Sequence, residues 1–233
     1  MKSLIVANWK MNPNNLTEAK HLFKSVEKGI KNIKNVETVI CPSFVYLSYL
    51  SHLFYGRQNC AIKLGAQDCF WEEKGAFTGE VSPAMLKDLG CEYVIVGHSE
   101  RRKYLEETDE MVNKKLKAIL KEGLLPILCI SKISQIKKKL KNISKKDFKK
   151  IKLAYEPISA IGTGKPYGID RAKKINFSIK KIVNNIFTLY GGSVNSQNGK
   201  DYIEKSGFNG LLVGGVSLKA KEFVKLVRNA GRT

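Results

Sequence analysis

The 233-residue sequence has no Cys-x-x-Cys pair, and its five cysteines, Cys41, Cys60, Cys69, Cys91 and Cys129, are an odd number. Both facts speak against a disulfide framework and against a structural zinc site. No apolar run approaches the roughly 18 residues that a membrane-spanning helix needs. The opening residues, Met1-Lys2-Ser3-Leu4-Ile5-Val6-Ala7-Asn8, turn polar too soon for a secretory signal, whose apolar core takes about 7–15 residues. The expectation is a soluble chain that stays in the cytoplasm. The Gly-x-Gly-x-x-Gly fingerprint is missing after the first apolar run, which weakens a dinucleotide-binding reading. Linkers, repeats and low-complexity segments are missing as well, so residues 1–233 read as one domain.

Acidic residues are scarce too, with 21 Asp and Glu against 41 Lys and Arg, a formal charge of +20. Such an excess invites a polyanion: nucleic acid, a membrane surface or an anionic substrate. The lysines crowd into positions 132–152, on what reads as a helix and its flanks, with few aromatic residues among them to stack on bases. That run reads as a solvated face, so no membrane and no specific nucleic-acid partner is expected. Weak steering of a phosphorylated substrate is compatible with the charge. What remains is ordinary for a soluble globular protein, with 43% hydrophobic and 27% charged residues.

Short apolar runs rich in β-branched residues alternate with longer segments of helical periodicity. Strands are predicted at 4–8, 36–41, 61–67, 93–97, 124–130, 152–156, 186–190 and 210–213. Helices are predicted at 16–29, from Pro42 to about Tyr55, after Ser82-Pro83, at 108–122, in the lysine-rich segment, from Asp170, and after each of the last two strands. Ser82 followed by proline is a helix start, and Gly123 is a helix stop. A long polar loop runs through Glu80. Strict alternation implies a parallel sheet with helices outside it. Eight units at this length favour a closed (β/α)₈ barrel over an open sheet.

In such barrels the chemistry lies where the strands end. The polar groups there are Asn8 and Lys10 after strand one, Gly97-His98-Ser99-Glu100-Arg101 after strand four, and Glu156 after strand six. Gly191-Gly192-Ser193 and Gly214-Gly215 follow strands seven and eight. Taken alone, Lys10 or Asn8 could be loop decoration. His98 could be a structural histidine, as His21 and His52 on presumed helices look to be. Glu156 is harder to dismiss, because a carboxylate ending an apolar strand is costly to bury, and desolvation is expected to raise its pKa toward that of a useful general base. Either glycine pair could be a tight turn, but two pairs at these two strands point to backbone N–H groups around a phosphate. The segment 157–165 holds Gly162 and Gly164 with apolar Ile158, Ala160 and Ile161, which suits a lid that excludes water. Together these residues predict an enzyme that uses Glu156 to move a proton on a small phosphorylated carbonyl compound.

At this point the chain resembles the triosephosphate isomerase family over essentially its whole length. The resemblance rests on Ala7-Asn8-Trp9-Lys10-Met11-Asn12, Gly65-Ala66-Gln67-Asp68, Gly75-Ala76-Phe77-Thr78-Gly79-Glu80, the stretch from Tyr93 through Gly97-His98-Ser99-Glu100 to Arg102, Ala154-Tyr155-Glu156-Pro157, Ala160-Ile161-Gly162-Thr163-Gly164, Tyr190-Gly191-Gly192-Ser193-Val194 and Val213-Gly214-Gly215. It implies interconversion of dihydroxyacetone phosphate and D-glyceraldehyde 3-phosphate through an enediol(ate). Glu156 would carry the proton, His98 would polarise the carbonyl oxygen, and Lys10 would supply positive charge. Asn8 would orient substrate oxygens, Gly162, Ser193, Gly214 and Gly215 would hold the phosphate, and Glu100 would support Lys10. No metal or cofactor is implied. The resemblance also implies a homodimer, with Thr78 at the tip of a loop reaching toward the neighbour's Asn8 and Lys10. Phe70, Trp71 and Phe77 fit this, being too apolar for a solvated loop.

Four departures stand out. Ser159 occupies a position where the family commonly has tryptophan, and Ser131-Lys132 one where glycine and glutamate are common. Asp68 replaces a common asparagine, and the helix after strand five looks shortened. Another sugar-phosphate isomerase would explain the glycine pairs but not Lys10, His98 and Glu156 together with a lid. A catalytically silent polyanion-binding barrel would explain the charge but would not need the constellation.

Overall fold

The computed structural model describes residues 2–53, 60–160 and 166–231. Eight parallel strands close a barrel in chain order: β1 Ser3–Asn8, β2 Val36–Cys41, β3 Ile62–Ala66, β4 Cys91–Val96, β5 Leu125–Ile130, β6 Lys152–Tyr155, β7 Phe187–Tyr190 and β8 Gly210–Val213. β1 pairs with β2 on one side and β8 on the other, which completes the ring. The (β/α)₈ barrel expected from the sequence is therefore the fold, with strand ends displaced by one or two residues.

Alternation along the strands sorts side chains into two layers. Leu4, Val6, Val39, Cys41, Tyr93, Ile95, Ile127, Cys129, Ala154, Leu189 and Leu212 fill the interior. The residues between them, such as Ile5, Ala7, Val94, Leu128 and Leu153, face the helices. Continuing the inward row past each strand end reaches Asn8 after Val6, Gly97 after Ile95, and Glu156 after Ala154. The pleat itself thus aims Asn8 and Glu156 at the barrel mouth. Closing the ring leaves no room at Gly210, where an added Cβ would stand 1.9 Å from the Leu4 carbonyl oxygen.

The outer layer comprises α1 Leu16–Ile30, α2 Phe44–His52, α3 Pro83–Asp88, α4 Ser99–Tyr104, α5 Asp109–Lys121, α6 Gln135–Lys139, α7 Ile169–Ile182, α8 Gly199–Glu204 and α9 Ala220–Ala230. Asn15, Ser82 and Thr108 cap α1, α3 and α5 by accepting a backbone N–H three residues on. Gly123 ends α5 at a φ of +80°. The end predicted for the second helix, near Tyr55, lies outside the described residues.

Two expectations change. The lysine-rich segment forms one short helix, α6, and a separate 3₁₀ turn at Asp147–Lys149. It is also not uniformly a solvated face, since Lys139 at the end of α6 has no exposed surface. Among the described residues no helix is long and apolar enough to cross a membrane.

Candidate active site

Lys10 leaves β1 in the left-handed region, with φ +55°, a conformation that costs a non-glycine residue free energy and has to be imposed by its surroundings. Three side chains impose it. Asn8 Oδ1 accepts the Lys10 backbone N–H at 3.0 Å, while Ser43 Oγ and Gln67 Nε2 both donate to the Lys10 carbonyl, at 2.9 and 2.8 Å. Gln67 also donates to the Cys41 carbonyl at 3.0 Å, tying the mouth ends of β1, β2 and β3 together. The Lys10 ammonium forms an ion pair with Glu100. Gln67 is visible in the sequence only as part of a motif, because nothing in its own environment there marks it as an anchor.

His98 caps α4, its Nδ1 accepting the Glu100 amide hydrogen at 3.3 Å. With Nδ1 so occupied, the neutral ring carries its proton on Nε2. Nε2 lies 3.0 Å from Glu156 Oε1, and Glu156 Oε2 accepts the Ser99 amide hydrogen at 3.2 Å. Both side chains are buried, His98 at 6% exposure and Glu156 at 2%.

The expectation that burial leaves Glu156 with a raised pKa is corrected here. Burial does push the carboxyl up, but His98, the Ser99 amide and Lys10 together outweigh it and hold the group below its ordinary value. His98 moves the other way: burial works against its charged form, yet the neighbouring Glu156 raises its pKa. The carboxylate is therefore ionised and held between His98 and the Ser99 amide. Cys129, used in the sequence only to exclude disulfides, is part of this arrangement. Burial raises its pKa, and the neighbouring Glu156 carboxylate adds to the rise. Strand alternation could have found it, since it faces inward on β5, next to β6.

A cavity of about 340 Å³ opens in front of these groups. Asn8, Lys10, His98 and Glu156 line one side, and Gly191, Gly192, Ser193, Gly214 and Gly215 line the other. Gly214 precedes a 3₁₀ turn, Gly215–Leu218, so backbone N–H groups at its start face the same space. Ser193 Oγ donates to the Ala160 carbonyl at 2.6 Å, which links the β7 loop to the end of the 3₁₀ turn Ile158–Ala160. Gly162, expected at the phosphate, lies outside the described residues. A larger groove of about 1040 Å³ runs between α1 and α9, but it takes in none of the residues that line the mouth cavity.

A second cleft, about 540 Å³, lies beside the 3₁₀ turn, between Tyr104, Ser131, Lys132, Gln135 and Ile158. Gln135 Oε1 accepts the amide hydrogens of both Ser131 and Lys132, at 2.9 and 3.1 Å. Further round the barrel, the loop after β3 holds Phe70 stacked on Trp71 with centroids 4.0 Å apart, and Phe77 4.7 Å from Phe70. These rings pack on one another and stay partly exposed, Phe77 at 42%.

A buried carboxylate, an imidazole N–H, an ammonium and an array of backbone donors thus surround one small cavity. The set can move a proton next to a carbonyl while holding an anion. A model of the triosephosphate isomerase family matches residues 3–230. The chain belongs to the triosephosphate isomerase family. It is 41% identical to the triosephosphate isomerase of Dictyoglomus turgidum over 98% of this chain and 99% of that protein. It is 42% identical to those of Endomicrobium trichonymphae and a Thermoanaerobacter species, in both cases over 97% of this chain and 98% of the relative. Of the residues singled out in the sequence, Asn8, Lys10, His98, Glu156, Ser193, Gly214 and Gly215 line one cavity, and Glu100 pairs with Lys10 beside it.

Proposed function

We propose that this chain interconverts dihydroxyacetone phosphate and D-glyceraldehyde 3-phosphate, with Glu156 as the base that carries the proton between adjacent carbons. The observation that carries the reading is the contact between His98 Nε2 and Glu156 Oε1, 3.0 Å apart across the floor of the cavity. Substrate seated there has to come between the two. Separated from His98, Glu156 loses the influence that holds its pKa down, and burial then raises it, strengthening the base as the reacting carbon arrives. His98 Nε2–H turns to the substrate oxygen and polarises the carbonyl, while Lys10 offsets the negative charge that develops on the enediolate. The backbone N–H groups at Gly214 and Gly215, with Ser193 and Gly162, hold the phosphate, and Asn8 orients the oxygens. Glu100 supports Lys10. The reaction asks nothing of a metal or cofactor in this reading.

The working form is a homodimer in the cytoplasm. Support comes from apolar surface near the mouth: Met11 and Val45 are 89% and 79% exposed, and the aromatic cluster beside Thr78 is only partly covered. Thr78 would then approach the partner's mouth.

A coupled isomerase assay tests the assignment. Glu156→Asp and His98→Gln should each lower kcat by about 10²-fold or more, the range for displacing a proton-transfer group. Unchanged turnover in both would overturn it.

A further inference from the structure

We propose that Lys139 is a positioning residue for the proton transfer, its buried ammonium supplying fixed positive charge behind Glu156 and His98. The proposal rests on Glu156 being the base.

Lys139 ends α6 and is wholly buried, although it belongs to a segment crowded with exposed lysines. Its Nζ donates to the Cys129 carbonyl at 2.6 Å. Cys129 pairs with Ala154, two residues before Glu156, and its thiol neighbours the Glu156 carboxylate, which helps to raise its pKa. Nζ also lies against Gly97, the residue before His98; a Cβ there would stand 3.3 Å from it. Gly97 adopts φ +69°, and its lack of a side chain leaves room for the ammonium. The charge therefore sits behind the strand ends that present both groups to substrate. Asn113 on α5 fixes the backbone of this segment, donating to the Lys139 and Lys141 carbonyls at 2.7 and 2.9 Å.

The other groups that face Lys139 are Arg102 and Asp109 from α4 and α5, Cys129 from β5 and Glu156 from β6. Arg102 and Asp109 pair with each other at 2.7 Å and cancel in formal charge. Cys129 stays a neutral thiol, because burial raises its pKa. What remains is a cation behind an anion. Burial lowers the Lys139 pKa to about 8, so it is largely protonated at neutral pH. Holding an ammonium away from water is costly where an apolar side chain would fill the space without penalty. The cost is consistent with a use, since a charge in low dielectric acts strongly on its neighbours.

The test uses the full chain with Lys139→Met, which removes the charge and the donor, and Lys139→Gln, which keeps a donor but not the charge. The acid limb of kcat/KM is read for each. Losing a neighbouring cation destabilises the Glu156 carboxylate, so in both variants the limb should move to higher pH by about half a unit to one unit. KM at neutral pH should stay within about twofold, as expected for a residue that does not touch substrate. Titration of the substrate phosphate is the same in every case and cancels in the comparison. A limb that stays in place in the folded variants overturns the proposal even if kcat falls, because a purely structural role would lower activity without moving it.

If neither variant folds, the native chain carries the test. The ¹³C signal of the labelled Glu156 carboxylate should show a step near pH 8, separate from the titration of the His98 ring signals. A flat signal through that range overturns the proposal. Loss of activity in Glu156→Asp is independent of either result, so failure of the Lys139 proposal is distinguishable from failure of Glu156 as the base.

Discussion

Asp68 sits with Glu107, Lys115 and Arg101 in a buried cluster at the end of β3. Its Oδ2 is 2.7 Å from Lys115 Nζ and 2.8 Å from Arg101 Nε. Burial nevertheless dominates and raises its pKa from 3.8 to about 6, with Lys115 opposing and Glu107 adding to the rise. The folded chain thus binds this proton more tightly than the unfolded one. Stability from this group is present at low pH, falls as pH rises from about 4 to 6, and the full cost persists above that. A rise of that size costs about 3 kcal/mol once the carboxyl is ionised, so Asp68→Asn should stabilise the chain by about 1–3 kcal/mol at pH 7.5 and by much less at pH 4.5. Thermal unfolding at the two pH values checks it; a destabilised variant at pH 7.5 would show that the ion pairs outweigh burial. At this scale Asn8, Lys10, His98 and Glu156 are legible in the sequence, because each lies at or just after a strand end; alternation alone aims Asn8 and Glu156 inward, while Lys10 and His98 are placed by the loops that follow. Gln67, Cys129 and Lys139 are not. Their roles depend on partners 10 to 57 residues away that come together only when the barrel closes.

Among the elements, the strands are legible because β-branched runs bounded by glycine and proline leave few alternatives, and the Ser82-Pro83 and Thr108 helix starts carry their own caps. The segment after β5 is harder. Its lysines have neither a clear apolar stripe nor a cap, so a short helix, a turn and an inward Lys139 are not separable by periodicity. The same region borders the 3₁₀ turn at Ile158–Ala160, where Ile158, the chain neighbour of Ser159, lines a cleft with Ser131 and Lys132. A lid over 157–165, expected from the sequence, would be balanced differently between open and closed with serine rather than tryptophan at 159. Ser159→Trp should therefore change turnover, or the fraction of triose phosphate lost to phosphate elimination, by about twofold or more, since lid motion commonly limits such steps. Measured turnover and free phosphate that both match the native chain would remove this idea.

For the whole molecule, the ring of eight strands sets the site by bringing together ends that lie far apart in sequence. Gly210 against Leu4 illustrates how tightly the last strand meets the first. The charge of +20 as a whole favours the approach of an anionic substrate. The central claim, that Glu156 takes a proton from one carbon and returns it to the next, is most directly tested in deuterated water. A carboxylate that holds the proton between the two transfers exchanges it with solvent. Dihydroxyacetone phosphate turned over by the native chain should therefore give product deuterated at C2, read by proton NMR, and Glu156→Gln should slow this incorporation by about 10³-fold or more. Incorporation by Glu156→Gln at the native rate would contradict the account.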